Sequence, residues 1–367
     1  MLNVVRSFAN FLRGKLAWHH VGMAVGIAIT LIALFVLYRM LRGIDPAEVL
    51  AAIRATDPVN ILLAALFVAA GYLTLTVYDY FALRTIGRNE VPYRVAAIAG
   101  FTSYSIGHNV GFTAFSGGTV RYRIYSTTSG LSAIEVAKIC FIAGLTFWLG
   151  NIAVLGLGFI IHPEAASAVD LLAPQVNRFL GFALLAALVA YTIWVSVASR
   201  TFGRGTWSVT LPSGNLTLLQ ILIGVIDLTC CAAAMYMLMP ATPEIDFISV
   251  MVIFITATLL GFAAHTPGGI GVFDATMLFA LSQFDREELV GSLLLIRLLY
   301  YIIPFAIALS IVAFRELVLD IKPLVAGEAK APPDEAPSSE PATKEAAASP
   351  RTPSRRRARR RASSTAA

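Results

Sequence analysis

The stretch Gly100 to Leu131, GFTSYSIGHNVGFTAFSGGTVRYRIYSTTSGL, combines residue types that can hold an anion. Gly100, Gly107, Gly111, Gly117 and Gly118 interrupt it, and Ser103, Ser105, His108 and Asn109 supply polar side chains. Arg121 and Arg123 then follow the glycine pair on what reads as a short turn. Glycine lets another group approach the backbone closely, and the planar fork of an arginine matches phosphate oxygens. The spacing points to a phosphate site made of Gly117, Gly118, Arg121 and Arg123. A plainer role for the arginines, as basic anchors at the cytoplasmic face of a membrane protein, fits the same residues.

A second break, AAHTPGGIGVFDATM, repeats the pattern. Pro267 suits a helix start, Gly268, Gly269 and Gly271 allow tight approach, and Asp274 stands just inside what reads as a half-helix. Two broken segments in corresponding halves of a membrane protein point to a binding site near mid-membrane. The alternative is glycine that only permits close helix packing. Asp79 in TVYDYF, Asp227 in IGVIDLTCC and Arg297 in LLLIRLLYY lie within apolar runs. An ionised side chain at the bilayer centre costs at least about 2.5 kcal/mol, so each requires a partner or a cavity. The simplest partnership is an ion pair of Asp227 with Arg297 locking two helices together, whereas Asp79, flanked by tyrosines, reads as a site residue.

Other chemistries find little support. His108 and His265 are single histidines without cysteines or carboxylates at ligand spacing, so no metal is expected and a structural hydrogen bond is the default for both. Gly117-Gly118 lacks the lysine of a phosphate loop, and no Ser-His-Asp order or nucleotide fingerprint occurs. No cofactor is expected. Cys140, Cys230 and Cys231 sit in apolar runs and read as packing residues.

The elements that must position these residues are membrane spans. Of 367 residues 57% are hydrophobic and 14% charged, against roughly 25% charged in a soluble domain, and mean hydropathy is +0.74. Apolar spans are expected at about His20–Leu37, Asn60–Leu83, Ile134–Ile161, Phe179–Ala198, Leu216–Met239, Phe247–Ala264 and Leu289–Val312, with a short segment ending near Phe284. The fold class is an all-α integral membrane protein with about eight transmembrane helices plus re-entrant, glycine-broken segments. The positive-inside count favours a first break that enters from the cytoplasm and returns. That places Arg84, Arg88, Arg94, Arg121, Arg123, Lys138, Arg200 and Arg204 inside and leaves Arg39, Arg42 and Arg54 as exceptions outside. Residues 1–19 form a cytoplasmic amino terminus, 20–315 the membrane domain, and 316–367 a tail rich in Ala, Pro, Ser, Glu and Arg that is expected to be disordered and cytoplasmic. Its run RRRARRR suits anionic headgroups, a topology signal or a solubilising role. Specific nucleic-acid binding is not expected.

TVYDYFALRTIGR, GFTAFSGGTVRYRIYSTTSGLSAIEVAK, ICFIAGLTFWLGN and AHTPGGIGVFDATM together resemble the membrane domain of the bacterial lysylphosphatidylglycerol synthase/flippase family, the multiple peptide resistance factor. The resemblance covers most of Val21 to Arg315, and GG-x-x-R-x-R and PGGIGVF are its most specific motifs. It implies a bacterial inner-membrane protein that translocates an anionic or aminoacylated glycerophospholipid such as lysylphosphatidylglycerol. In that family a separate cytoplasmic domain makes the lipid. Only the tail follows Arg315, so synthase activity is not expected of these residues, and a separate aminoacyl-lipid synthase becomes a partner, beside anionic phospholipids and a homo-oligomer. Family members often carry glutamate where Asp274 stands. On this reading Arg121 and Arg123 hold the lipid phosphate, and Asp79, Asp274 and Glu135 meet a cationic headgroup. Ser105, His108, Asn109, Gly268 and Gly269 line the path, and Arg121→Ala abolishes movement without unfolding. The rival reading is a non-transporting scaffold that positions a lipid-modifying enzyme.

Overall fold

The computed structural model describes residues 45–325 apart from Phe112 and Thr206. The expected first span at His20–Leu37 and the arginine-rich run lie outside the described residues. Twelve α-helices are described: α1 Pro46–Ala55, α2 Pro58–Thr85, α3 Tyr93–Val110, α4 Thr113–Ser129, α5 Ala133–Ile161, α6 Pro163–Asp170, α7 Pro174–Val197, α8 Gly214–Leu238, α9 Phe247–Ala263, α10 Val272–Ala280, α11 Arg286–Ile296 and α12 Ile303–Val325. A 3-10 turn, Pro267–Gly269, precedes α10, and a π-helical turn, Arg297–Ile302, joins α11 to α12. Contacts divide the chain after Val318, and of the second part only the helical continuation to Val325 is described. The helix thus runs past Arg315, where the membrane domain was expected to close.

Among the described residues five helical segments are long and apolar enough to cross a membrane: α2, α5, α7, α8 and the continuous Arg286–Arg315. α9 is a shorter apolar helix. They coincide with the expected spans because each apolar run is bounded by residues that start helices. Asp57 caps α2 ahead of Pro58, Asp246 caps α9 through the Ser249 amide, and Ser132 and Glu135 form a reciprocal capping box on α5. The chain is an all-α membrane protein with one exception that the apolar pattern did not predict, a small antiparallel hairpin pairing β1 (Thr201–Arg204) with β2 (Trp207–Thr210).

At the centre α2 packs on α8 and α3, and α5 packs on α8 and α7. α7 leaves Phe179, Phe182, Val189 and Ile193 exposed, as a helix at the lipid boundary must. The α5–α8 crossing is a backbone contact: a Cβ at Gly150 would fall 2.6 Å from the Gly224 carbonyl carbon. No flexible side chain is there to yield. Gly150→Ala is therefore expected to force the helices apart at about 1–3 kcal/mol, read as earlier thermal unfolding in detergent. Gly144→Ala, one and a half turns before it on the same helix, meets nothing within 4 Å and should leave unfolding unchanged or later.

The first glycine-rich stretch is less broken than its composition suggests. Gly100, Gly107, Gly117 and Gly118 lie inside helices, and among the described residues the chain turns back at Gly111, φ 82° and ψ 178°, a conformation open essentially to glycine alone. A Cβ on Gly107 would meet Thr113 at 3.0 Å, and one on Gly117 would lie 2.9 Å from the Ser103 carbonyl, so α3 and α4 run back along one another as an antiparallel hairpin. Arg121 and Arg123 stand on α4 and not on a turn.

Candidate functional site

α4 brings Arg121 to Asp79 on α2. Arg121 Nε lies 3.0 Å from both carboxylate oxygens, Nη2 is 2.8 Å from Oδ1, and the Tyr125 hydroxyl donates to Oδ2 at 2.9 Å. Asp79 is fully buried, and the Arg121 guanidinium lies 4.5 Å over the Tyr104 ring. Helical rotation of about 100° per residue turns Arg123 away, onto an exposed face. This corrects the two-arginine phosphate fork: two-residue spacing brings side chains together on a strand or turn, whereas on a helix it separates them. Gly117 packs against α3 within the hairpin, and Gly118 faces Cys140 on α5.

The second break carries the same device with the charges exchanged. Arg297, at the start of the π turn, grips Asp274 of α10 with Nε at 2.9 Å from Oδ1 and Nη2 at 2.6 Å from Oδ2, and its Nη1 donates to the Gly268 carbonyl at 3.0 Å. The expected Asp227–Arg297 pair is thereby replaced by Asp274–Arg297. Arginine takes the acid beside the turn whose carbonyl it already binds. The aspartate also accepts from the Gly271 amide at 3.0 Å, so the shorter acid suffices here. Gly268 and Gly269, φ 60° and 66°, give the turn its left-handed course.

The two breaks touch. A Cβ on Gly111 would lie 3.3 Å from the His265 carbonyl and 3.4 Å from Pro267. Beside this junction opens a cavity of about 390 Å³. Arg121 and His108 line it together with Tyr104, Phe147 and Phe262, and Gly111, His265 and Thr266 bring in both breaks. Phe115 and Trp148, 81% and 55% exposed, also line it, so it reaches the outer surface of the helix bundle. A second cavity of about 50 Å³ shares Tyr104, His108, Phe147 and Phe262 and extends to Asp227, Asn151, Tyr300 and Tyr301.

The remaining expected site residues divide. His108 lies between the cavities, buried, with no hydrogen-bond partner for Nδ1. Asn109 instead ties α3 to the π turn, donating to the Tyr301 carbonyl at 3.1 Å, while Tyr72 donates to that of Tyr300 at 2.9 Å. Side chains thus occupy carbonyls of the π turn. Ser105 is fully buried but lines neither cavity. Glu135 is removed from both: it caps α5 and takes Arg88 Nε at 2.6 Å. A hydrogen bond from its own backbone amide, followed by the Arg88 guanidinium, holds the Glu90 carboxyl on the adjoining loop below its usual range. Among the described residues no cluster of His, Cys, Asp and Glu suits a metal.

The sequence-based reading missed the aromatic wall of Tyr104, Phe147, Trp148, Phe262 and Tyr300. For Tyr104 and Tyr125 a signal existed, since each stands four residues from a singled-out residue, His108 and Arg121, on the same helix face.

Known proteins are similar to this chain in sequence. The protein slr0712 of Synechocystis is 31% identical over 248 residues, covering 67% of this chain and 76% of its own. The inner membrane protein YbhN of Escherichia coli is 28% identical over 77% of this chain and 87% of its own. The phosphatidylglycerol lysyltransferase of Staphylococcus xylosus is 27% identical over 80% of this chain, which spans about 34% of that enzyme's length. The model of the lysylphosphatidylglycerol synthase transmembrane region matches residues 23–308, and the chain belongs to that family.

Proposed function

We propose that this protein moves a glycerophospholipid with a phosphate-bearing headgroup, phosphatidylglycerol or its aminoacyl ester, between the leaflets of the bacterial inner membrane. The observation that carries the reading is the 390 Å³ cavity where both breaks meet, with Arg121 in an otherwise mainly aromatic and apolar wall. Its size lies within the range of small-molecule sites and suits a headgroup while acyl chains remain in lipid. The lipid phosphate approaches Arg121 from the cavity and shares it with Asp79, whose negative charge keeps the empty site neutral. Phe115 and Trp148 lie on the lateral entry. Membership of a family that includes a lysyltransferase's membrane region supports an aminoacylated cargo supplied by a separate synthase, and the name of YbhN supports the inner membrane. On this reading both termini are cytoplasmic.

A translocator and a scaffold respond oppositely to removal of residues 322–367. In liposomes carrying fluorescent phosphatidylglycerol or its lysyl ester in one leaflet, read by an impermeant quencher, the shortened protein is expected to accelerate lipid exposure as well as the full chain does. Absence of acceleration by the folded full chain, together with co-purification of a lipid-modifying enzyme that is lost on truncation, would establish the scaffold instead.

A further inference from the structure

Three acids are singled out within the membrane-embedded helices, and two of them are held by arginine. The third, Asp227 on α8, is not: among the described residues no Lys, Arg or His lies within ion-pair distance of it. It is 4% exposed. The Tyr78 hydroxyl donates to Oδ2 at 3.0 Å. Thr74 Oγ lies 3.0 Å from Oδ1 and 2.6 Å from the Gly71 carbonyl, so its one proton serves either. An ionised carboxylate so placed is costly without a cation, and a protonated one is not.

The acid also faces open space. Asp227 lines the 50 Å³ cavity, which has room for about one water on the liquid-volume scale. The same cavity is lined by Asn151, whose buried Oδ1 has no hydrogen-bond partner, and by His108, whose Nδ1 has none. Two unpartnered, deeply buried polar atoms therefore line the same small cavity as the Asp227 carboxyl. The titratable groups that face Asp227 or line its cavity are Tyr72 and Tyr78 on α2, Tyr104 and His108 on α3, Cys230 and Cys231 on α8, and Tyr300 and Tyr301 on the π turn. Arg121 stands beyond the Tyr104 ring, in the larger cavity.

We propose that Asp227 is a proton-binding site that couples proton entry to lipid movement. His108, shared by both cavities, is the relay between the headgroup cavity and the acid. The step is a protonation: hydronium reaching the large cavity passes its proton through His108 to an Asp227 oxygen, forming an O–H bond and releasing water. No redox partner is involved. The coupling, though not the proton site itself, rests on the reading of the protein as a lipid translocator.

The test uses full-length protein in liposomes with a trapped pH dye, the membrane potential clamped, and fluorescent phosphatidylglycerol in one leaflet. An imposed acid pulse is expected to acidify the lumen several-fold faster than in protein-free liposomes and to accelerate lipid exposure. Asp227→Asn should lose both effects, and Asp227→Glu, which keeps a titrating carboxyl, should retain them. Proton entry identical in wild type and folded Asp227→Asn would overturn the proposal. If Asp227→Asn fails to fold, infrared difference spectra across an acid titration of wild type and Asp227→Glu decide: a carboxyl band that titrates and is displaced in the variant supports the site, and an undisplaced band refutes it. Lipid movement indifferent to both the gradient and Asp227 would sink the coupling and leave the translocator standing. Asp227-dependent proton entry without any lipid movement would keep the proton site and sink both the translocator reading and the coupling that rests on it.

Discussion

Arg121→Ala is expected to abolish lipid movement and to destabilise the protein by about 3–5 kcal/mol, because it strands a fully buried Asp79 carboxylate. The sequence alone suggests a functional loss without unfolding, but the ion pair makes the two effects inseparable in the single variant. Removing both charges separates them. Asp79→Asn combined with Arg121→Gln leaves two neutral amides and no stranded charge, so the double change costs less stability than removing one partner of the buried pair. The double variant should recover most of the thermal stability lost by Arg121→Ala, measured in detergent, while remaining unable to move lipid. Recovery of movement as well would show that Arg121 holds helices together and touches no lipid.

The second large effect is at the other break. Arg297→Leu removes two hydrogen bonds to Asp274 and the one to the Gly268 carbonyl, and should also cost about 3–5 kcal/mol. The loss should be local as well as global, since Arg297 fixes the left-handed turn at Gly268 and Gly269 against the π turn. Hydrogen exchange is the measurement. Amides of residues 265–275 should exchange faster in the variant under conditions where α8 remains protected. Uniform acceleration across both would mean that the pair contributes only to overall stability.

The membrane spans were legible because their signal is one-dimensional: a run of about 20 apolar residues suffices for the bilayer, and Asp57, Ser132 and Asp246 mark where helices begin. The breaks were legible too. Gly111 and the Gly268-Gly269 pair adopt backbone conformations that other residues avoid, and Pro267 opens the second turn. The partners of the charges were not legible. Asp227, Asp274 and Arg297 all lie in apolar surroundings, and which acid meets the arginine depends on the rotation and depth of each helix. The sequence leaves both undefined. Two-residue spacing sets Arg123 beside Arg121 on a turn, but the chain here stays helical. Ser132-x-x-Glu135 just before an apolar run is a capping-box pattern, a local signal that outweighs a remote headgroup role for Glu135. The contact between the breaks, and so the cavity, arises from tertiary packing alone.

The cavity itself offers the most direct test of lipid movement. Gly144 lines it, and a Cβ there meets nothing within 4 Å, so a larger side chain at this position starts into the cavity. The measurement is the initial rate at which labelled phosphatidylglycerol becomes accessible to an external quencher, in liposomes containing wild type or Gly144→Leu at equal amounts of folded protein. A cavity that carries the headgroup predicts fast exposure by wild type and a loss of most of that rate in Gly144→Leu, with thermal unfolding unchanged. Equal rates in the two proteins would contradict passage through this cavity, and no acceleration by either would contradict translocation of this lipid.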